Sequence, residues 1–189
     1  MAVSFRGTAQ SLNIFANDAT AQNLFVIENG IASRVNVIVR RLTFGSDPTA
    51  VLTSVMNVMR ACRATSVSGG FIVDKAPFTS TQTSDSAVVV RAQCNEAGRI
   101  TATAGDTLWT QLVPRMHTAV EQQLPEIDAE RLQQRSLIPA LAMNIADLTL
   151  RPGQSLLVKL LAATAASNPF ASSNYAVRCS WDEDEIATF

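Results

Sequence analysis

The sequence holds one histidine, His117, and three cysteines, Cys62, Cys94 and Cys179. A lone imidazole works as a general base when a carboxylate orients it, and Glu121, four residues on, would do so on a helix. No Gly-x-Ser-x-Gly elbow accompanies it, and no cysteine stands in the setting of a nucleophile. His117 therefore reads as a rim residue just after a strand, and the sequence points away from an enzyme. The cysteines are odd in number, far apart and without a Cys-x-x-Cys pair, so they read as buried free thiols in a reducing site of synthesis.

One histidine and three scattered cysteines do not make a zinc site. Gly69-Gly70 lacks the Gly-Lys-Ser/Thr continuation of a phosphate loop and reads as a tight turn between strands. No metal and no cofactor is expected. The densest charge is the acidic run Asp182, Glu183, Asp184 and Glu185. Oxygen ligands suit calcium, but consecutive residues of an extended strand point to opposite faces and chelate poorly alone. Two readings remain for the run. It is a solvated terminus that blunts an edge strand, or a protein-interaction patch that docks on arginines of a neighbouring subunit. Trp109 and Trp181 fall at inward-looking strand positions and read as core, not as a sugar-binding platform.

The 189 residues suit a single domain with a core large enough to need no staples. Hydrophobic residues make up 47% and charged residues 16%, which leaves little charge to cover an isolated globule. With a mean hydropathy of +0.15, this balance favours an obligate oligomer. A net charge of −1 argues against specific nucleic-acid binding. Lysine is confined to Lys75 and Lys159, so the positive charge is nearly all arginine, the better interface residue. The opening residues show no secretion signal, and the apolar stretch from Leu156 to Ala166 is interrupted by Lys159 and too short to span a bilayer, so no membrane partner is expected.

The elements that must carry these residues follow a period of two. Val35, Val37 and Val39 share one face of a strand, with Asn36, Ile38 and Arg40 on the other. Asn29-Gly30 precedes it, and Leu24–Ile27 before that is a second strand, which suggests a hairpin or at least a sharp turn. Val88, Val90, Ala92 and Cys94 share another face. Arg99–Thr103 alternates, Ala104-Gly105-Asp106 turns the chain, and Thr107–Val113 follows as a strand. Arg151-Pro152-Gly153-Gln154 is a turn into Ser155–Leu161. Asn174–Trp181 closes the series with Tyr175, Val177, Cys179 and Trp181 inward. Between residues 48 and 62 a helix with Asp47 as cap competes with a strand; a loop or short helix is expected at 48–56 and a strand at 58–68. Residues 118–140 are polar and read as a partly helical surface insertion, in which Asp128–Arg135, bracketed by Pro125 and Pro139, has room for one or two helical turns. The expectation is an all-β, antiparallel β-sandwich of jelly-roll type with a short helical excursion. It forms one domain over residues 1–189, with an N-terminal arm over about 1–20.

The order of features resembles a known group. It runs from the Asn-Gly turn through Val-Asn-Val-Ile-Val-Arg-Arg-Leu (35–42) and Arg-Ala-Thr-Ser-Val-Ser-Gly-Gly (63–70). Thr-Ser-Thr-Gln-Thr-Ser-Asp within 78–85 and Ala-Val-Val-Val-Arg-Ala (87–92) come next. Arg-Pro-Gly-Gln-Ser-Leu-Leu-Val (151–158) and Arg-Cys-Ser-Trp-Asp-Glu (178–183) end the series. This is similar to the jelly-roll-like decoration (cement) and fibre-base proteins of tailed bacteriophages. The resemblance implies a virion structural protein without catalytic residues. It implies assembly in the bacterial cytoplasm, commonly as a homotrimer, against the major capsid protein or other virion proteins. A tail, adaptor or fibre-base component, a carbohydrate-binding module and a His117 hydrolase are the alternatives.

Overall fold

The structure is a computed structural model, and it describes residues 3–14, 21–46, 50–77, 86–93, 98–118, 141–143, 148–162 and 173–186. Twelve strands are present among them: β1 (Val3–Ile14), β2 (Gln22–Asn29), β3 (Val35–Ser46), β4 (Ala50–Gly69), β5 (Phe71–Ile72), β6 (Lys75–Pro77), β7 (Val88–Ala92), β8 (Ile100–Thr118), β9 (Leu141–Met143), β10 (Leu148–Leu150), β11 (Ser155–Ala162) and β12 (Ser173–Glu185). All pair antiparallel, in two sheets. The first sheet runs β10-β3-β12-β1-β6, with β9 also on β3; the second runs β5-β7-β2-β11-β4-β8.

The chain changes sheet with almost every long strand. β1, β3, β10 and β12 lie in the first sheet; β2, β4, β8 and β11 lie in the second. Aligned, the orders β10-β3-β12-β1 and β8-β4-β11-β2 are those of a double-sheet jelly roll. The segment between β4 and β8 widens the sandwich on one side, with β6 joining β1 and with β7 and β5 joining β2. No α-helix occurs among the described residues, and none is long and apolar enough to cross a membrane.

The core lies between the sheets. Phe25, Ile27, Leu156 and Leu160 meet Val37, Val39, Leu42 and Trp181 there, all fully buried. Two strands break the expected alternation because their sheet is covered on both faces. Val26 and Leu157 point outward, yet they are buried under Ala64 and Ile100 in a satellite cluster with Val67 and Ala102. The ends of β4 and β8 fold over this outer face. Register shifts between Ala61 and Cys62, Cys62 and Ala64, and Thr65 and Ser68 mark where they bend. The side chain of Asn23 on β2 donates to Ile100 O at 3.0 Å, and Arg91 on β7 donates to Gly69 O at 3.0 Å. Two-sided burial is why Leu24–Ile27 and Leu156–Val158 read as continuous apolar runs.

Several expectations are corrected. β2 and β3 form no hairpin; the turn closed by Ser33 N–H donating to Gly30 O at 2.9 Å carries the chain from one sheet to the other. Residues 50–56 belong to β4, where Ala50, Val51 and Leu52 pair with Thr118, His117 and Met116, not to a loop or short helix. The β-branched Val51, Thr53 and Val55 favour that choice once a partner strand is available; Asp47 and Pro48 lie outside the described residues. The expected turn at Ala104-Gly105-Asp106 is a bulge within a continuous β8, since Ala104 pairs with Ala64 and Thr107 with Cys62. Residues 3–14, expected in an N-terminal arm, form β1, hydrogen-bonded between β12 and β6. The helical excursion at 118–140 lies, beyond Thr118, outside the described residues, as does the segment at 163–172.

Gly69 and Gly70 do turn the chain, both with positive φ, 70° and 72°. A Cβ on Gly69 would stand 2.2 Å from Arg99 O. Gly69→Ala is expected to cost more than the ~1–2 kcal/mol of the left-handed backbone alone, because backbone must also move. Urea unfolding measures this; a midpoint equal to the wild type would show that the turn is not fixed as described.

Candidate interaction surface

The acidic run is the distal part of β12, which is paired on both sides as far as Glu183, while Asp184 and Glu185 pair, among the described residues, with β3 alone. Asp182–Glu185 align with Ile38–Val35 of β3, and Asp182 and Glu183 also face Ser4 and Val3 of β1. The reading as a charge that blunts an edge strand is therefore corrected for Asp182 and Glu183. The pleat of the strand then sends the four carboxyl groups in different directions.

Asp182 points to the outer face. Its Oδ1 accepts from the Ser4 hydroxyl at 2.6 Å and its Oδ2 from Arg40 Nε at 2.6 Å. Arg40 is aimed there by a bulge: Ser180 pairs with Arg41 and Trp181 with Val39, which leaves Arg40 as the extra residue. The same bulge moves the buried positions of β3 from Val37 and Val39 to Leu42. Burial alone raises the Asp182 pKa, but the Ser4 hydroxyl and the Arg40 guanidinium outweigh it and hold the carboxyl below its usual value. A depressed folded pKa gives stabilisation that is complete above the unfolded value near ~3.9 and is lost as pH falls through the folded one. The Arg40 side chain is 47% exposed, so the contribution is about 0.5–1 kcal/mol. Asp182→Asn should show that deficit in urea unfolding at neutral pH and none in strong acid. A deficit unchanged in acid would mean that packing, not charge, holds the site.

Glu183 points inward and is only 6% exposed. Its Oε1 accepts from Trp181 Nε1 at 3.0 Å and from the Ser86 hydroxyl; its Oε2 accepts from Ala87 N–H at 3.0 Å. Ser86 Oγ in turn accepts from Val88 N–H at 3.1 Å. Lys75 Nζ, on β6, donates to Ser86 O at 3.1 Å and Val88 O at 2.5 Å. The segment entering β7 in the second sheet is thus clasped by β6 and β12 of the first. Glu183 closes the sandwich rather than greeting a partner. Asp184 is half-buried and Glu185 exposed, and among the described residues no ion pair holds either. Of the expected patch, these two remain turned to the surface uncommitted.

The reactive residue types are dispersed. His117 sits in β8 opposite Val51. Cys62 is buried, its sulfur 3.8 Å from Thr107 Oγ1. Cys179 donates to Gly7 O at 3.5 Å; burial, against a smaller opposite pull from that hydrogen bond, pushes its thiol up to about 12. In the native protein Cys179 is expected to stay unalkylated by iodoacetamide at about pH 8, since the thiolate is the nucleophile, and to react once unfolded. Mass spectrometry of the Cys179 peptide checks this; fast native labelling would refute the burial. Among the described residues no group of His, Cys, Asp and Glu is placed to hold a metal ion. Trp181 is fully buried and stacked on Phe5, with ring centroids 6.1 Å apart, and Trp109 is half-buried against the core. Neither is free to stack on a sugar.

The clasp escaped the sequence reading, although one signal for it was present. Val177, Cys179 and Trp181 alternate inward, and two steps further the same parity places Glu183 inside. Lys75 and Ser86 carried no such signal, because their roles depend on which strands lie beside them. Compared with known proteins, the chain matches no family model, no curated protein and no solved structure.

Proposed function

We propose that this chain is a virion structural protein, a capsid decoration (cement) protein that stabilises a phage head through subunit contacts. The observation that carries the reading is the double-sheet jelly-roll order, an architecture used by viral capsid and lectin domains. The lectin branch is disfavoured by the burial of Trp181 and the packing of Trp109. The low charge and the Thr-rich exposed stretch of β8, where Asp106 is the one charged residue between Ile100 and Thr110, suit a subunit that packs against other chains. In this reading the chain forms a homo-oligomer, with a trimer favoured, and sits on the major capsid protein.

The test is co-sedimentation of the purified chain with empty phage shells, followed by imaging of the decorated particles. Saturable binding at symmetry-related positions, with shells that resist heating better, is expected. A monomer with no affinity for shells would overturn the proposal, and binding to tails alone would move the protein from the head to a tail or fibre-base role.

A further inference from the structure

Asn29-Gly30 is the one Asn-Gly step in the chain. Such a step is chemically labile, because glycine has no side chain to shield its backbone nitrogen. That nitrogen attacks the side-chain carbonyl carbon of Asn29. A new C–N bond forms, the bond to the amide nitrogen breaks, and the peptide proton leaves with that nitrogen as ammonia. Water then opens the resulting ring to aspartate or to an isoaspartate linkage. The turn does not require this glycine. Gly30 is outside the left-handed region, and a Cβ built on it meets nothing within 4 Å.

The fold obstructs the reaction at three points. Asn29 is fully buried, and its Nδ2 donates to Val35 O and Leu150 O, both at 2.9 Å. Carbonyl oxygens have no proton to give, so neither can help the amide nitrogen depart. The Oδ1 atom is buried without a donor among the described residues, so nothing stabilises the charge that gathers there as the ring closes. The backbone is tied as well. Asn29 N–H donates to Gln154 O at 3.0 Å, and Asn29 O accepts from Gly153 N–H at 2.8 Å. Ring closure needs the Asn29 backbone to turn out of its extended conformation, which those two bonds oppose.

We infer that Asn29 is a deamidation site gated by the fold. The reaction runs only in chains where the end of β2 has come away from the 151–154 turn, and once run it bars the way back. A carboxylate at position 29 sets an acceptor against Val35 O and Leu150 O in a buried site, where the amide had supplied two donors. An isoaspartate linkage also lengthens the main chain at the point where it crosses between the sheets. Opening at this turn thus becomes a one-way step. The inference concerns the free chain and does not rest on the decoration reading.

The experiment incubates the full chain in mildly alkaline buffer, with and without guanidinium chloride, and follows the peptide carrying residue 29 by mass spectrometry. Conversion should be about a hundred-fold or more slower in the native chain, since only the opened fraction reacts. Gly30→Ala should slow conversion in denaturant by about ten-fold or more without lowering the native melting temperature. Wild-type chains converted in denaturant should not regain the native thermal transition on dilution, whereas Gly30→Ala chains treated alike should. Asn29→Asp, made directly, should melt well below the wild type or fail to fold. Equal conversion rates in native and denatured chains would overturn the gate. An Asn29→Asp variant that melts with the wild type, or Gly30→Ala chains that refold no better than converted ones, would overturn the one-way step.

Discussion

Glu183→Ala should destabilise the protein by about 3–4 kcal/mol, the cost of leaving several buried polar groups without an acceptor. Three donors converge on this carboxylate: Trp181 Nε1, the Ser86 hydroxyl and Ala87 N–H. Removing it strands them in a site almost closed to water. For a chain of this size 1 kcal/mol shifts the melting temperature by roughly 2–4 °C, so a drop on the order of 10 °C is expected. Glu183→Gln should lose less, because its amide oxygen still accepts from one side; the amide nitrogen then meets a donor and gains nothing. Thermal unfolding followed by circular dichroism reads both variants. If Glu183→Ala melted within a degree or two of wild type, the clasp between the sheets would be dispensable.

Trp181→Ala should cost about 3–5 kcal/mol, the usual range for removing a buried indole. The side chain is fully buried and stacks on Phe5, and Gly7 makes room beneath it. A Cβ on Gly7 would lie 3.2 Å from Cys179 Sγ and 3.5 Å from the Trp181 ring. Because the alanine variant risks not folding, Trp181→Phe is the sharper measurement. It keeps most of the apolar contact and deletes the donor to Glu183. Combined with Glu183→Gln in a double-mutant cycle, it should reveal a coupling of about 1 kcal/mol or more. Strict additivity would show that the indole and the carboxylate stabilise the fold independently, against the geometry.

These two residues mark the boundary of what the chain discloses before it folds. The alternation of Val35, Val37 and Val39, and of Val177, Cys179 and Trp181, is a local property of extended backbone. It reports strands and their inward faces without reference to any neighbour. The turns are equally local. Pro152 and Gly153 supply the dihedral angles that close the bend, with Gly153 at φ 79° and Gln154 N–H donating to Arg151 O at 2.9 Å. Asn29 is less local. Its amide donates to Val35 O and Leu150 O, both at 2.9 Å, and so joins two connections that are distant in sequence.

By itself, then, the sequence determined an all-β antiparallel chain, its main turns, the inward faces of its strands and the dispersal of its reactive residue types. Tertiary structure decided which strands became neighbours. That choice made the sharp turn after Asn29 a crossing between sheets and not a hairpin, the expected turn at Gly105 a bulge, and the acidic run one ion pair, one buried clasp and two surface carboxylates. The reason is physical. Period and turn chemistry act over a few residues, whereas pairing joins Val3 to Glu183 and Ala50 to Thr118. Whether a carboxylate faces solvent, an arginine or a buried indole depends on such distant partners.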